Sequence, residues 1–134
     1  MKILALDYGS ARTGVAVSDP TATLARPLGV VERAGTEAGL ARLADLARTE
    51  GVERIVVGLP VTLRCERGAQ AVETERFAAA LEAAVDVPVE TWDERFTTRL
   101  AAGSTALGAR ADEDALAAAH LLSSYLEWLS ATRT

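Results

Sequence analysis

Short apolar runs separated by polar turns dominate the beginning of the chain, and they predict β-strands. Residues 2–8 (KILALDY) and 12–18 (RTGVAVS) are joined by Gly-Ser-Ala, which predicts a β-hairpin with its turn around Gly9. A third strand is predicted over residues 24–32, where Pro27 marks an edge strand or a bulge. The chain therefore begins with antiparallel strands.

Helical and strand patterns alternate in the rest of the chain. Thr36 is the predicted N-cap of a helix that extends to Glu50, and residues 53–59 (ERIVVGL) are typical of a strand buried on both faces. The further predicted elements are a helix over 68–84, a strand over 85–92, and helices over 97–107 and 112–131. This order predicts an α/β protein of one domain, residues 1–134, with a mixed sheet (antiparallel first, then parallel) and helices on both faces.

Composition fits a globular protein, with 49% hydrophobic and 25% charged residues. The single Cys65 excludes an intramolecular disulfide and a cysteine metal cluster. No segment approaches the roughly 20 apolar residues that span a bilayer. The N-terminus also lacks the apolar stretch of a signal peptide. We therefore expect a soluble, cytoplasmic protein without membrane contacts.

The net charge of −5 argues mildly against a nucleic-acid ligand, because such proteins usually carry a basic surface. Binding follows local charge, however, and Lys2 is the single lysine among 14 basic residues. The others are arginines, which pair with phosphate through two parallel hydrogen bonds.

Asp7 is the first candidate for chemistry. Side chains alternate along a strand, so Asp7 shares a face with Ile3 and Ala5, at the margin of the core. A carboxylate there must be solvated, hydrogen-bonded or bound to a cation. A metal ion, a nucleotide phosphate and an ordinary turn, in which Asp7 caps the backbone of Gly9, all remain open.

A second acidic pair, Asp93 and Glu94, lies where the last strand ends, and ligands bind at the carboxyl ends of parallel strands. Adjacent strand residues face opposite ways, so at most one of the two joins Asp7, and alternation does not choose between them. The alternative is that Thr97 caps a helix and the acids lie favourably near its N-terminus.

The third candidate, Asp114, begins the apolar stripe of the last helix, which continues through Ala118, Leu121 and Tyr125. Asp112 is the predicted N-cap of that helix. His120 lies six residues beyond Asp114 on another face, so we expect it to be a half-buried packing residue.

Three acids from distant segments suit Mg²⁺ or Mn²⁺, which prefer oxygen ligands, and such ions promote phosphodiester hydrolysis. The sequence contains no histidine cluster, serine triad or P-loop that would compete for a catalytic role.

Four segments together resemble the YqgF/RuvX family of Holliday-junction-resolvase-like proteins and pre-16S rRNA nucleases, which have an RNase H-like fold. They are LALDYGSARTGVAVSDP (4–20), IVVGLP (55–60), WDERFTT (92–98) and DEDALAAAHLLSSYL (112–126).

The resemblance implies a divalent-metal-dependent nuclease. By this analogy Asp7, Glu94 and Asp114 are the catalytic acids that bind Mg²⁺ or Mn²⁺, with Asp93 in reserve, and Arg12, Arg95 and Thr97 contact substrate phosphates. Where the family usually has a segment resembling Asn-Met-Asp-Gly-Ser, this chain has VTLRCERG at 61–68, which brings Arg64 and Arg67 as further nucleic-acid contacts.

The implied substrate is structured nucleic acid, either precursor 16S rRNA or branched DNA, and paired cuts in a two-fold symmetric junction would require a homodimer. One alternative is a non-catalytic nucleic-acid-binding or ribosome-assembly factor. A weaker one is an ATPase of the actin and sugar-kinase type, whose first phosphate loop is similar but which uses two such domains.

Overall fold

The computed structural model describes residues 1–59, 68–93 and 110–132, with the side chains of the last segment described from residue 113. The elements in these segments alternate as the hydrophobic pattern predicts. In chain order they are β1 (Ile3–Asp7), β2 (Arg12–Ser18), β3 (Ala25–Glu32), α1 (Glu37–Glu50), β4 (Arg54–Leu59), α2 (Ala69–Ala84), β5 (Val89–Asp93) and α3 (Arg110–Thr132).

The strands in these segments form one mixed sheet in the order β3-β2-β1-β4-β5. β2 lies between β1 and β3 and is antiparallel to both, whereas β4 and β5 run parallel to β1. Parallel neighbours need a crossover connection, and helices α1 and α2 lie in the segments before β4 and β5. The carboxyl ends of β1, β4 and β5 therefore meet at one edge of the sheet.

Each face of the sheet has its own core. One core combines strand residues such as Leu4, Leu6 and Val57 with apolar side chains of α1 and α2, including Leu43 and Leu81. In the other core, the strand residues that alternate with these pack against α3. Its buried members are Ile3, Ala5, Ala16, Val56, Trp92, Ala118, Ala119, Leu121, Leu122, Tyr125 and Leu126. The alternation along the strands therefore assigns every strand residue to the α1/α2 face or the α3 face.

Helix α1 begins and ends as its sequence predicts. The Oγ1 of Thr36 accepts a hydrogen bond from the backbone N–H of Gly39 at 3.1 Å. Gly51 ends the helix in the left-handed conformation, with φ of 68°. Pro27 lies on the edge strand β3, beside a register shift in its pairing with β2, which confirms the predicted edge or bulge.

Three predicted elements differ from the structure or lie outside its described part. The last strand begins at Val89 and not at Val85. Val85 and Val87 lie in the preceding loop but pack on the α1/α2 core, so their apolar character was mistaken for that of a strand. Helix α3 begins at Arg110, so the prediction of Asp112 as its N-cap is wrong: Arg110 and Ala111 are good helix formers and extend the helix upstream. The helix predicted over 97–107 lies outside the described residues.

Helix α3 is fastened to the sheet near its C-terminal end by a polar contact. The buried Tyr125 hydroxyl donates a hydrogen bond to Oε1 of Glu90 on β5 and accepts one from Nη1 of Arg54 on β4 at 2.7 Å. The Trp92 ring packs edge-on against Tyr125 with 5.3 Å between centroids. These contacts fix where α3 crosses the sheet, and thereby where its N-terminal end lies.

Within the described segments, no helix combines the length and the apolar character that crossing a bilayer requires.

Candidate active site

Asp7 is the last residue of β1 and lies on the α3 face. Ile3 and Ala5, which share that face, are fully buried, whereas Asp7 is half-buried. The strand therefore carries the carboxylate from the closed core to its open margin, at the edge where the carboxyl ends of β4 and β5 also lie. This position matches the prediction made from strand alternation.

Asp114 is brought to the same place by a close approach between helix and strand. Asp7 pairs directly with Gly14 across the hairpin, which puts their Cα atoms about 4.5–5.5 Å apart. A Cβ on Gly14 would overlap the carbonyl oxygen of Asp114 and lie 3.2 Å from the backbone nitrogen of Ala115. The second turn of α3 thus rests on the backbone of β2 beside Asp7. Two of the predicted acids, more than 100 residues apart in the chain, therefore lie at one site.

Arg12 completes the described part of the site. Its Nε lies 3.1 Å from Oδ2 of Asp114, and both side chains are about one-third exposed, 38% and 32%. That Oδ2 atom is itself shielded from solvent and accepts no well-directed hydrogen bond. A shielded carboxylate oxygen requires positive charge nearby. Arg12 supplies this charge in the structure, and a divalent cation is the other group that suits such an oxygen.

The turn between β1 and β2 is held by Thr13. The fully buried Thr13 hydroxyl accepts a hydrogen bond from the N–H of Gly9 and donates one to its carbonyl oxygen, each at 3.4 Å. A Cβ on Gly9 would lie 2.5 Å from the carbonyl oxygen of Arg12. The backbone of Gly9 is therefore held by Thr13, four residues further along the chain. Thr13 was not predicted as a site residue, although its place in an otherwise apolar strand was visible in the sequence.

Asp93 ends β5 on the other face of the sheet. Trp92 and Glu90 lie on the α3 face, where they contact Tyr125, so alternation puts Asp93 on the α1/α2 face with Val89. The next residue, Glu94, lies outside the described residues, as do Arg64, Arg67, Arg95 and Thr97. In the segments that are described, no three His, Cys, Asp or Glu side chains are grouped so that they could hold a metal ion.

His120, on α3, is half-buried, as the sequence predicts.

Tyr8 follows Asp7 and points to the opposite face. Its ring stacks on Phe77 of α2 with 4.3 Å between centroids, and its hydroxyl donates a hydrogen bond to Oε2 of Glu73 at 2.8 Å. Burial, and then the hydrogen bond and the negative charge of Glu73, raise the pKa of Tyr8 from 10.0 to about 12. These contacts anchor the end of β1 from the face that does not carry the acids.

The raised pKa of Tyr8 predicts a loss of stability at high pH. The unfolded chain releases the tyrosine proton near pH 10 and the folded chain near pH 12. The contribution of Tyr8 is therefore complete below pH 10 and disappears as the pH rises toward 12. Denaturant midpoints measured between pH 9 and about 11.5 should fall less in Tyr8→Phe than in the wild type. An equal fall of the midpoint with pH in the two proteins would contradict the raised pKa of Tyr8.

Comparison with known proteins places the chain in a family. The family model RuvX, described as Holliday junction resolvase, matches residues 1–128. The chain belongs to the RuvX family. A relative from Rubrobacter xylanophilus is 46% identical over 131 residues, which cover 94% of this chain and 92% of the relative. A relative from Chloroflexus aurantiacus is 42% identical over 131 residues, covering 93% and 86%. Both carry the provisional name pre-16S rRNA nuclease.

Solved structures of resolvases share the RuvX fold. Thermus thermophilus RuvC in complex with a Holliday junction substrate superposes with a TM-score of 0.63 at 20% identity, covering 96% of both chains. The fowlpox virus resolvase in complex with Holliday junction DNA gives a TM-score of 0.59 at 12% identity, covering 96% of this chain and 99% of that one. These similarities confirm the predicted RNase H-like fold, and the family match confirms the resemblance found in the sequence.

Proposed function

We propose that this RuvX protein is a divalent-metal-dependent nuclease that hydrolyses phosphodiester bonds in structured nucleic acid. The observation that carries the proposal is the convergence of Asp7 and Asp114 at the carboxyl edge of the sheet, with Gly14 as the close contact between them. Family membership supports the reaction class, since the family is described as Holliday junction resolvase and the relatives are provisionally named pre-16S rRNA nucleases. The proposed domain is the whole chain.

Asp7, Asp114 and Glu94 are the proposed ligands for Mg²⁺ or Mn²⁺. The shielded Oδ2 of Asp114 is the feature of the structure that fits a cation, and an all-oxygen donor set is what these ions prefer. Asp93 lies on the α1/α2 face, away from Asp7 and Asp114, which disfavours Asp93 as the third acid and supports the choice of Glu94. When bound, such an ion activates a water molecule and neutralises charge on the phosphate.

The protein groups position the substrate and the acids. Thr13 holds the turn that follows Asp7, and the Gly14 contact holds the backbone of Asp114, so the backbone at both acids is in place before any ligand arrives. Arg12 lies at the same edge and is partly exposed, so its guanidinium can pair with a substrate phosphate once a cation takes its place beside Asp114. We extend the phosphate-binding role to Arg95 and Thr97 by analogy with the family. We extend it to Arg64 and Arg67, where this chain departs from the family's segment, because their charge suits a phosphate.

Cleavage of matched substrates tests the proposal. We expect cutting of a four-way DNA junction or a precursor 16S rRNA stem with Mg²⁺ or Mn²⁺, and none with EDTA. Plain duplex DNA and single-stranded RNA serve as controls for shape, since both present the same phosphate chemistry. The preferred substrate would separate junction resolution, which also requires a homodimer for paired cuts, from rRNA processing. Binding without metal-dependent cleavage of any substrate would instead support a non-catalytic assembly factor.

A further inference from the structure

Arg33 has an unusual backbone conformation. Its φ is 47°, and Ala22 is the other non-glycine residue with positive φ in the described segments. This region is uncommon for side chains larger than Asn or Asp, and it costs energy. The backbone N–H of Arg33 donates a hydrogen bond to the carbonyl oxygen of Ala11 at 3.0 Å. Its own carbonyl oxygen accepts from the N–H of Thr36 at 3.0 Å and from the Thr36 hydroxyl at 2.7 Å. The strained residue is therefore fixed on both sides.

These bonds place Arg33 at the same end of the sheet as the acids. Glu32 pairs with Arg12 in the register of β2 and β3, and Arg33 follows Glu32 directly. Two strand spacings separate β3 from β1, a lateral distance of roughly 10 Å from the strand that carries Asp7. Arg33 thus lies at the same end of the sheet as the acids, two strands away from Asp7, and is too far from it to share a cation with it.

The charge of Arg33 is available to a ligand. The side chain is exposed, and no acidic side chain of the described segments forms an ion pair with it. Arg12, in contrast, has its charge balanced by Asp114. In a protein with a net charge of −5, an exposed arginine without an ion pair, at the end of the sheet that carries Asp7, is a local site for a phosphate.

We propose that Arg33 binds a backbone phosphate of the substrate near the bond that is cut, and so positions the strand relative to the acids. This inference rests on the proposed nuclease function and adds a positioning residue to it. The left-handed backbone fixes the point from which the guanidinium extends, which reduces the entropy lost on binding.

The test is binding of a labelled four-way DNA junction and a labelled precursor 16S rRNA stem across a salt series. All proteins carry Asp7→Asn and are measured with Mg²⁺, so that binding is followed without cleavage. Arg33→Asn removes the charge but keeps a residue that tolerates positive φ, and Arg33→Lys keeps the charge. Arg42→Gln is the matched control, because Arg42 is an exposed arginine of α1 without an ion pair to a described side chain. Thermal unfolding of each variant checks the fold.

Arg33→Asn should weaken binding roughly 5-fold or more and reduce the slope of log affinity against log salt by about 0.7 to 0.9. Arg33→Lys should retain the slope, and Arg42→Gln should leave both quantities unchanged. An unchanged slope in a folded Arg33→Asn protein would overturn this inference, and cleavage by the wild type would then leave the nuclease function standing. A slope that depends on Arg33 in a protein whose wild type cuts nothing would support the phosphate site and reject the nuclease. Failure to bind either probe would overturn both proposals.

Discussion

Asp7→Asn should lower the rate of phosphodiester cleavage at least ~10³-fold, which corresponds to about 4 kcal/mol of transition-state stabilisation. The substitution keeps the volume of the side chain and removes the charge that a divalent cation requires. Asp7 is half-buried at the end of β1, and the turn beside it is held by Thr13, so the fold should persist. Single-turnover cleavage with saturating Mn²⁺, together with circular dichroism and a melting curve, measures both effects.

Matched acidic variants make that result specific. Asp86→Asn is the control, because Asp86 is exposed in the loop before β5, at the opposite end of the sheet, and should retain the wild-type rate. Glu94→Gln should be as inactive as Asp7→Asn, whereas Asp93→Asn should retain most activity because its side chain lies on the other face. The reverse order would make Asp93 the third ligand. Metal-dependent cleavage by a folded Asp7→Asn protein would reject the mechanism.

Strand and helix periodicity is sufficient to predict that the two acids lie at the margins of buried faces. The alternation Ile3, Ala5, Asp7 assigns a face to Asp7, and the spacing from Asp114 to Tyr125 assigns a face to Asp114. Both assignments hold because a buried face selects apolar side chains at a fixed period, so an acid in line with that face must lie at its margin. The sequence pattern does not show that Asp7 and Asp114 lie together, because that also depends on the order of the strands in the sheet.

Features that depend on the folded backbone were not visible in the sequence. The bond between Thr13 and Gly9, the ion pair between Arg12 and Asp114, and the left-handed conformation of Arg33 depend on backbone geometry that no local pattern encodes. The early start predicted for β5 has a related cause. Val85 and Val87 are partly buried, and burial alone does not distinguish a strand from a loop that covers the core.

The point at which α3 contacts the sheet was not predictable from the sequence for the same reason. A helix with many alanines can approach a sheet closely, and the alanine-rich run 115–119 indicates this. The strand residue beneath the helix must be equally small, and the sequence does not say which glycine it is. Of the glycines in β2 and β3, Gly14 meets the backbone of Asp114, whereas a Cβ on Gly29 would have no other atom within 4 Å.

Gly14→Ala should therefore destabilise the fold and inactivate the enzyme together. The added methyl group would overlap the carbonyl oxygen of Asp114, a backbone atom that moves only if α3 moves. We expect a loss of about 3 kcal/mol, near the upper end of overpacking effects, and a melting temperature lower by roughly 10 °C. Because the same shift carries Asp114 away from Asp7, the cleavage rate should fall at least ~10²-fold when measured well below the new melting temperature.

Gly29→Ala is the matched control, since it makes the same change in the neighbouring strand where space is open. Its melting temperature should equal or slightly exceed that of the wild type, because alanine reduces the conformational entropy of the unfolded chain. A Gly14→Ala protein that melts and cuts like Gly29→Ala would show that α3 does not rest on β2 at this point. Destabilisation with a normal rate in the folded fraction would separate the packing of α3 from catalysis, and Asp114 would then lose its place among the proposed ligands.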